Sequence, residues 1–143
     1  MKRIALATIE RTYANNGQHA EQVARYTLTG QICKADNLPH NCGGDIGNLQ
    51  VKSSKASLMS GNYCTKDTKD GIIEEFFERT ASELFAWVID DFSLAYVMNK
   101  NEFKEFCREF SGMSRESSKN GGKAKVQFYK ENERTRMWLA SRV

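Results

Sequence analysis

The stretch GGDIGNLQVKSS, residues 43 to 54, contains a carboxylate, an amide and an ammonium group: Asp45, Gln50 and Lys52. Carboxylate and amide oxygens are ligands that hard divalent cations such as Mg²⁺ prefer. An ammonium group beside such an ion can stabilise charge building on a scissile phosphate, or hold a metal-bound water for attack. If the backbone brings the three side chains together, they predict metal-dependent phosphodiester chemistry.

A tight hairpin is the element that would bring them together. Gly47 and Asn48 suit a two-residue turn, across which Ile46 would face Leu49. Side chains alternate between the two faces of a strand, so the turn fixes which residues share a face. The predicted polar face holds Asp45, Gln50 and Lys52, and the predicted apolar face holds Ile46, Leu49 and Val51.

At these residues the chain resembles the PD-(D/E)XK nuclease superfamily, which has the restriction-endonuclease-like fold. The signature of the superfamily is an aspartate opening one strand and an acid-x-Lys on the next. Here it reads Asp45, then Gln50-Val51-Lys52, and some members of the superfamily also have glutamine at the acidic position. The resemblance extends upstream to GQHAEQVARYTLTG, in which Glu21 matches a helix glutamate that many of these nucleases carry.

The resemblance implies a Mg²⁺-dependent endonuclease that hydrolyses phosphodiester bonds of DNA, with Mn²⁺ as a substitute metal and RNA as an alternative substrate. Lys52 would position the nucleophilic water. One site per chain favours a homodimer for cutting both strands of a duplex. The implied metal ligands are Asp45, Gln50, the carbonyl of Val51, and Glu21.

Three alternatives stay open. The spacing from Asp45 to Gln50 is shorter than in most of the superfamily, so Asp36 is an alternative metal ligand. Because Gln50 carries no charge, the chain could instead be a nucleic-acid-binding protein that keeps the fold without catalysis. The third alternative is a zinc-stabilised interaction module, but the spacing of its candidate ligands matches no common zinc pattern, and buried, reduced thiols are the favoured prediction. Its candidate ligands are Cys33, His40, Cys42 and Cys64.

Charge adds a modest indication of a polyanionic partner. Lys and Arg outnumber Asp and Glu by 21 to 18, and the positive charge is denser toward the end of the sequence. Such a run is either a solvated surface or a surface that faces phosphates. The candidate nucleic-acid contacts are Ser53, Ser54, Lys55, Arg115, Lys119, Lys123 and Lys125.

The order of elements predicts a single α/β domain over residues 1–143, with a mixed central sheet flanked by helices. Apolar periodicity supplies the helices, and apolar or alternating runs supply the strands. The predicted helices cover 2–13, 18–28, a segment from an Asp70 cap through Ile72 to Leu84, and 100–110. The predicted strands cover 85–90, 93–99, and a closing hairpin of 124–129 with 135–140, and a flexible loop is predicted over 111–125.

Other patterns concern burial and location. The helix at 18–28 is predicted to bury Ala20, Val23, Ala24 and Leu28, with Gly30 as its stop. The apolar run near the N-terminus is too short for a secretion signal, and no stretch approaches the roughly 18 apolar residues of a membrane span. We therefore expect a cytoplasmic protein with no membrane partner. A structural or surface role is predicted for His19 and His40, and core positions are predicted for Trp87, Trp138, Phe103, Phe106 and Phe110.

Overall fold

A computed structural model of the protein describes residues 1–30, 46, 48–59, 61–89, 91–115 and 122–143. Within these ranges the chain is a mixed α/β protein with a four-stranded sheet, a two-stranded sheet and four α-helices. A short 3₁₀ turn covers Gly61–Tyr63. The elements are β1 Lys2–Ala5, α1 Asn16–Thr29, β2 Leu49–Ser53, α2 Lys69–Arg79, β3 Leu84–Ile89, β4 Leu94–Asn99, α3 Lys100–Phe110, β5 Ser111–Arg115, β6 Ala124–Phe128 and α4 Glu133–Ala140.

The order of strands in the larger sheet is β1-β4-β3-β2. β2 and β3 are parallel, because helix α2 carries the chain back across the sheet between them. β3 and β4 pair in an antiparallel hairpin, as predicted from the sequence, and β1 pairs antiparallel to β4. The sheet is therefore mixed, with the Gln50-Val51-Lys52 strand at one end of the described strand order.

Two apolar clusters cover the two faces of this sheet. On one face, Ala20 and Ala24 of α1 pack against a small cluster that includes Val51 and Val88. On the other face, α2, α3 and the β5–β6 hairpin enclose an aromatic core that includes Phe85 and Phe103. Strand β3 is buried on both faces, and this explains its continuous apolar sequence.

Helix ends follow local sequence signals. The Asn15 side chain accepts a hydrogen bond from the backbone amide of Gln18, and α1 stops at Gly30, which has a left-handed φ of 71°. Helix α3 matches its predicted bounds and begins with a capping box formed by Asn99 and Glu102. Helix α2 ends earlier than predicted, at Arg79, and its N-cap is Thr68 in place of Asp70.

Three predicted elements are wrong. Residues 2–5 form a strand, because pairing with β4 outweighs a weak helical pattern. Residues 111–115 form β5, which pairs with β6 although its own composition resembles a loop. Residues 133–140 form a helix, since the Asn132 side chain accepts from the Thr135 amide and caps it. The predicted partner of β6 was therefore wrong, while β6 itself was correct.

The buried stripe of α1 is shorter than predicted. Ala20, Val23 and Ala24 are buried, but Leu28 is 48% exposed. At this end of the helix the neighbouring Thr27 hydroxyl accepts a hydrogen bond from the Ala7 amide at 2.9 Å, so Leu28 faces outward. No helix in the described part of the chain is long and apolar enough to cross a membrane.

Candidate functional site

The predicted tight turn is present between Ile46 and Leu49. The Ile46 amide donates to the Leu49 carbonyl at 2.8 Å, and the Leu49 amide donates to the Ile46 carbonyl at 3.0 Å. The carbonyl of Asn48 accepts from the amides of Glu83 and Leu84 at 2.9 and 3.1 Å, so the start of β3 holds the turn. The reversal that the chemical argument requires is therefore confirmed at these residues.

Alternation along β2 places Gln50 and Lys52 on one face of the strand. Leu49 and Val51 are buried on the opposite face, against α1. Gln50 and Lys52 are half-buried and line an open groove of about 400 Å³, called here the Gln50 groove. The groove is completed by Leu58, Met59, Phe76, Arg79, Thr80, Ala81 and Ser82.

The Lys52 side chain is fixed by backbone carbonyls. Its ammonium donates to the carbonyls of Ser57 and Leu58 at 2.9 and 3.2 Å. That segment is attached to β6, because the Leu58 amide donates to the Val126 carbonyl at 2.9 Å. The charge of Lys52 also acts on the buried thiol of Cys107, whose pKa is raised by burial. Lys52 is therefore held in a defined position at the groove.

The other predicted metal ligands are distributed differently. Glu21 is half-buried on α1, the helix that packs on the opposite side of β2 from Gln50 and Lys52. A Glu21 carboxylate would have to reach the groove around the edge of β2. The remaining predicted acidic ligands, Asp45 and its alternative Asp36, lie outside the residues that the structure describes.

The donor set in the described residues is incomplete for Mg²⁺. It contains the amide oxygen of Gln50 and backbone carbonyls, which suit a hard cation but bring no charge. The described ranges contain no group of three His, Cys, Asp or Glu side chains that could hold a metal ion. A charged ligand for a cation in the Gln50 groove would have to come from Glu21, or from Asp45 or Asp36, which lie outside the described residues.

The candidate zinc ligands cannot be assembled from the described residues. Cys33, His40 and Cys42 lie outside them, and Cys64 is half-buried. Cys107 is fully buried and reduced, as predicted for a thiol that packs in a core.

The residues after β2 line a second cavity, called here the strand-end pocket. Ser53 is buried, while Lys55 is exposed at the tip of a turn in which the Ala56 amide donates to the Ser53 carbonyl. The Ser54 hydroxyl accepts from the Glu131 amide at 3.3 Å. The pocket has a volume of about 360 Å³ and is lined by Arg11, Asn16, Ser53, Ser54, Lys55, Val88, Ile89, Asp91, Phe92, Lys130 and Glu131.

The predicted basic contacts near the end of the chain lie on the β5–β6 hairpin. Arg115 and Lys123 are exposed, and Lys125 is half-buried opposite Ser114. The Arg115 guanidinium donates to the Gly122 carbonyl at 3.4 Å. Lys119 lies outside the described residues. The positive charge of this hairpin therefore lies on a different sheet from β2, the strand that carries Gln50.

Comparisons with protein-family models, with curated proteins and with solved structures found no match for this chain. Its function has to be inferred from its own residues and geometry.

Arg11 lines the strand-end pocket, and no pattern in the sequence indicated it as a functional residue. Its guanidinium donates to the carbonyls of Tyr13 and Ala14 at 2.8 and 2.9 Å, and to the Asn16 side chain at 2.5 Å. It also lies over the ring of Phe92, 5.5 Å from the centroid. Arg11 falls in a segment predicted as helix, so only the observed irregular backbone reveals this arrangement.

His19 is buried next to Phe92, which lines the strand-end pocket, and its position predicts that the stability of the fold depends on pH. Its ring meets Phe92 edge-on at 4.6 Å, and its Nδ1 has no hydrogen-bond partner among the described residues. Burial, and then the charge of Arg11, lower the pKa of His19 from 6.5, while Asp91 opposes the shift. Below pH 6.5 the unfolded chain therefore binds a proton that the folded chain resists, so stability falls as the pH decreases.

We expect His19→Leu to flatten the dependence of the unfolding free energy on pH between about pH 5 and 7. Urea denaturation at a series of pH values measures this slope for the variant and the original chain. Comparing slopes removes any uniform change in stability that the substitution causes. Equal slopes in the two proteins would contradict the assignment.

Proposed function

We propose that the chain is a metal-dependent nuclease with a restriction-endonuclease-like fold, acting on phosphodiester bonds of DNA. The observation that carries the proposal is the turn at Ile46 and Leu49, which is followed by a strand that presents Gln50 and Lys52 on one face. That strand leads through helix α2 into the parallel, buried strand β3. The order of elements and the placement of both polar side chains agree with the nuclease resemblance.

The chain's own residues would divide the chemistry between them. Gln50 would offer a neutral oxygen to the cation, and Asp45, which the sequence pattern predicts to face Gln50, would supply the charged oxygen. A divalent cation bound there would supply electrophilic stabilisation and an activated water. The Lys52 ammonium, held by two carbonyls, would place a fixed positive charge beside the phosphate without reorganising during the reaction.

A specific observation also favours a second candidate, a nucleic-acid-binding protein without catalysis. The Lys52 ammonium already has two backbone acceptors, and this arrangement could serve only to fix the Ser57–Leu58 segment. Gln50 supplies no negative charge for a cation. On this candidate, DNA binding would be salt-sensitive and independent of metal.

Nicking of supercoiled plasmid distinguishes the two candidates. We expect the protein to nick DNA with Mg²⁺ or Mn²⁺ and to be inactive in EDTA, and we expect Asp45→Asn to abolish nicking while the fold is kept. Circular dichroism provides the control for folding. Salt-sensitive DNA binding without nicking in either metal would reject the nuclease and support the binding protein.

A further inference from the structure

We propose that the strand-end pocket binds a nucleotide phosphate group. The pocket lies where the parallel strands β2 and β3 end, at Ser53 and Ile89. Ligands of open α/β sheets commonly bind at the carboxyl ends of parallel strands. The proposal does not rest on cleavage in the Gln50 groove, because binding can be measured without metal.

Cations from three separate parts of the chain line this pocket: Arg11, Lys55 and Lys130. The pocket also contains Asp91 and Glu131, so its lining holds three cationic and two anionic side chains. The balance of charge in the lining is thus positive. Such an environment attracts an anion, and guanidinium and ammonium groups can donate charge-assisted hydrogen bonds to the oxygens of a phosphate.

Arg11 is pre-organised for this role. Its Nε and one terminal nitrogen are held by the carbonyls of Tyr13 and Ala14 and by Asn16. These bonds fix the plane of the guanidinium before a ligand arrives, which reduces the entropy lost on binding. In the described part of the chain, no hydrogen bond engages its other terminal nitrogen, so that group can donate to a ligand.

Backbone strain is concentrated at the same pocket. Lys55, Asp91 and Phe92 have positive φ angles of 64°, 56° and 67°, and they are the non-glycine residues with positive φ in the described ranges. All three line the pocket. The left-handed region is costly for lysine and especially for phenylalanine. Strained residues tend to gather where a binding site requires a particular side-chain position.

Each of the two turns that contain these residues places a side chain at the pocket. The Gln127 side-chain amide donates to the Lys55 carbonyl at 2.9 Å, which fixes the turn that carries the lysine. At the β3–β4 hairpin, Phe92 is held between the Arg11 guanidinium and the His19 ring. The Phe92 ring adds an apolar wall to a cavity of about 360 Å³, a size that suits a sugar or base attached to the phosphate.

Fluorescence anisotropy with a labelled single-stranded oligonucleotide, in EDTA, tests the proposal. We expect Lys55→Gly and Lys130→Ala each to weaken binding about tenfold, as for loss of a hydrogen bond to a charged group. Each should also reduce the slope of log affinity against log salt by about 0.7. Glycine relieves the positive φ of Lys55, so this variant removes the charge without damaging the turn.

Lys2→Ala is the matched control, since Lys2 is exposed at the start of β1, away from the strand ends. Competition with deoxythymidine monophosphate separates two sources of the phosphate. Displacement of the oligonucleotide would identify a free nucleotide as a sufficient ligand. Pocket-dependent oligonucleotide binding without displacement would identify a nucleic-acid strand as the ligand. Both results support the proposal. An equal loss in Lys2→Ala, no loss in the pocket variants, or equally strong competition by a polyglutamate peptide would overturn it.

Discussion

Phe103→Ala is expected to lower the free energy of unfolding by about 3–5 kcal/mol, the usual cost of removing a buried phenylalanine. Phe103 is fully buried, and its ring stacks on Phe85 at 4.4 Å with an angle of 6° between the planes. Further rings surround it from α2, α3 and β6, including Phe76, Phe106 and Phe128. Removing it leaves a cavity where four elements meet, so the surroundings cannot close without moving several of them.

Urea denaturation measures this loss, which is a large part of the 5–15 kcal/mol typical of whole domains. Phe103→Leu should cost less, because it keeps most of the buried apolar volume. Met137→Ala is the exposed control, with 65% of Met137 accessible to solvent on α4, and its effect should stay within about 0.5 kcal/mol. A loss below about 1 kcal/mol for Phe103→Ala would mean that the core repacks freely around the gap.

Lys52→Met is expected to reduce plasmid nicking by about 10²- to 10³-fold, the range found when a fixed donor to a reacting oxygen is removed. This expectation follows from the nuclease proposal and from the position of the ammonium at the Gln50 groove. Methionine keeps much of the side-chain length and apolar stem. The substitution therefore tests the charge more directly than a change to alanine.

The same substitution also removes two hydrogen bonds, to the carbonyls of Ser57 and Leu58. A loss of stability of about 1–3 kcal/mol is expected from this alone. Nicking should therefore be measured at a temperature at which circular dichroism shows both proteins folded, with Lys2→Met as the charge-matched control. Reduced stability together with unchanged nicking would assign Lys52 a purely structural role.

Local signals in the sequence were sufficient for several elements. The Gly47-Asn48 pair predicted the turn, Gly30 predicted the end of α1, and the spacing of aromatic residues predicted α3. Each of these depends on contacts between residues close in the chain. By contrast, the strand at residues 2–5 is determined by pairing with β4, about 90 residues away along the chain, and its own sequence does not encode that pairing.

The distinction between local signals and remote contacts also applies to the Gln50 groove and the strand-end pocket. Alternation along one strand was enough to place Gln50 and Lys52 on a common face. The strand-end pocket depends on remote contacts, such as the bond between Ser54 and Glu131, which are 77 positions apart. Arg11 and Lys130 have no motif around them, so only the folded chain shows that they share a cavity with Lys55.

The attachment of the Ser57–Leu58 segment to β6 has a consequence for synthesis on the ribosome. The Leu58 amide bonds to the Val126 carbonyl, and the Phe128 amide bonds to the Ala56 carbonyl, both at 2.9 Å. A nascent chain that has not yet exposed residues 126–128 lacks both contacts, so the acceptors of the Lys52 ammonium are not anchored. The surroundings of Lys52 are therefore completed late in translation, well after the strand that carries it has emerged.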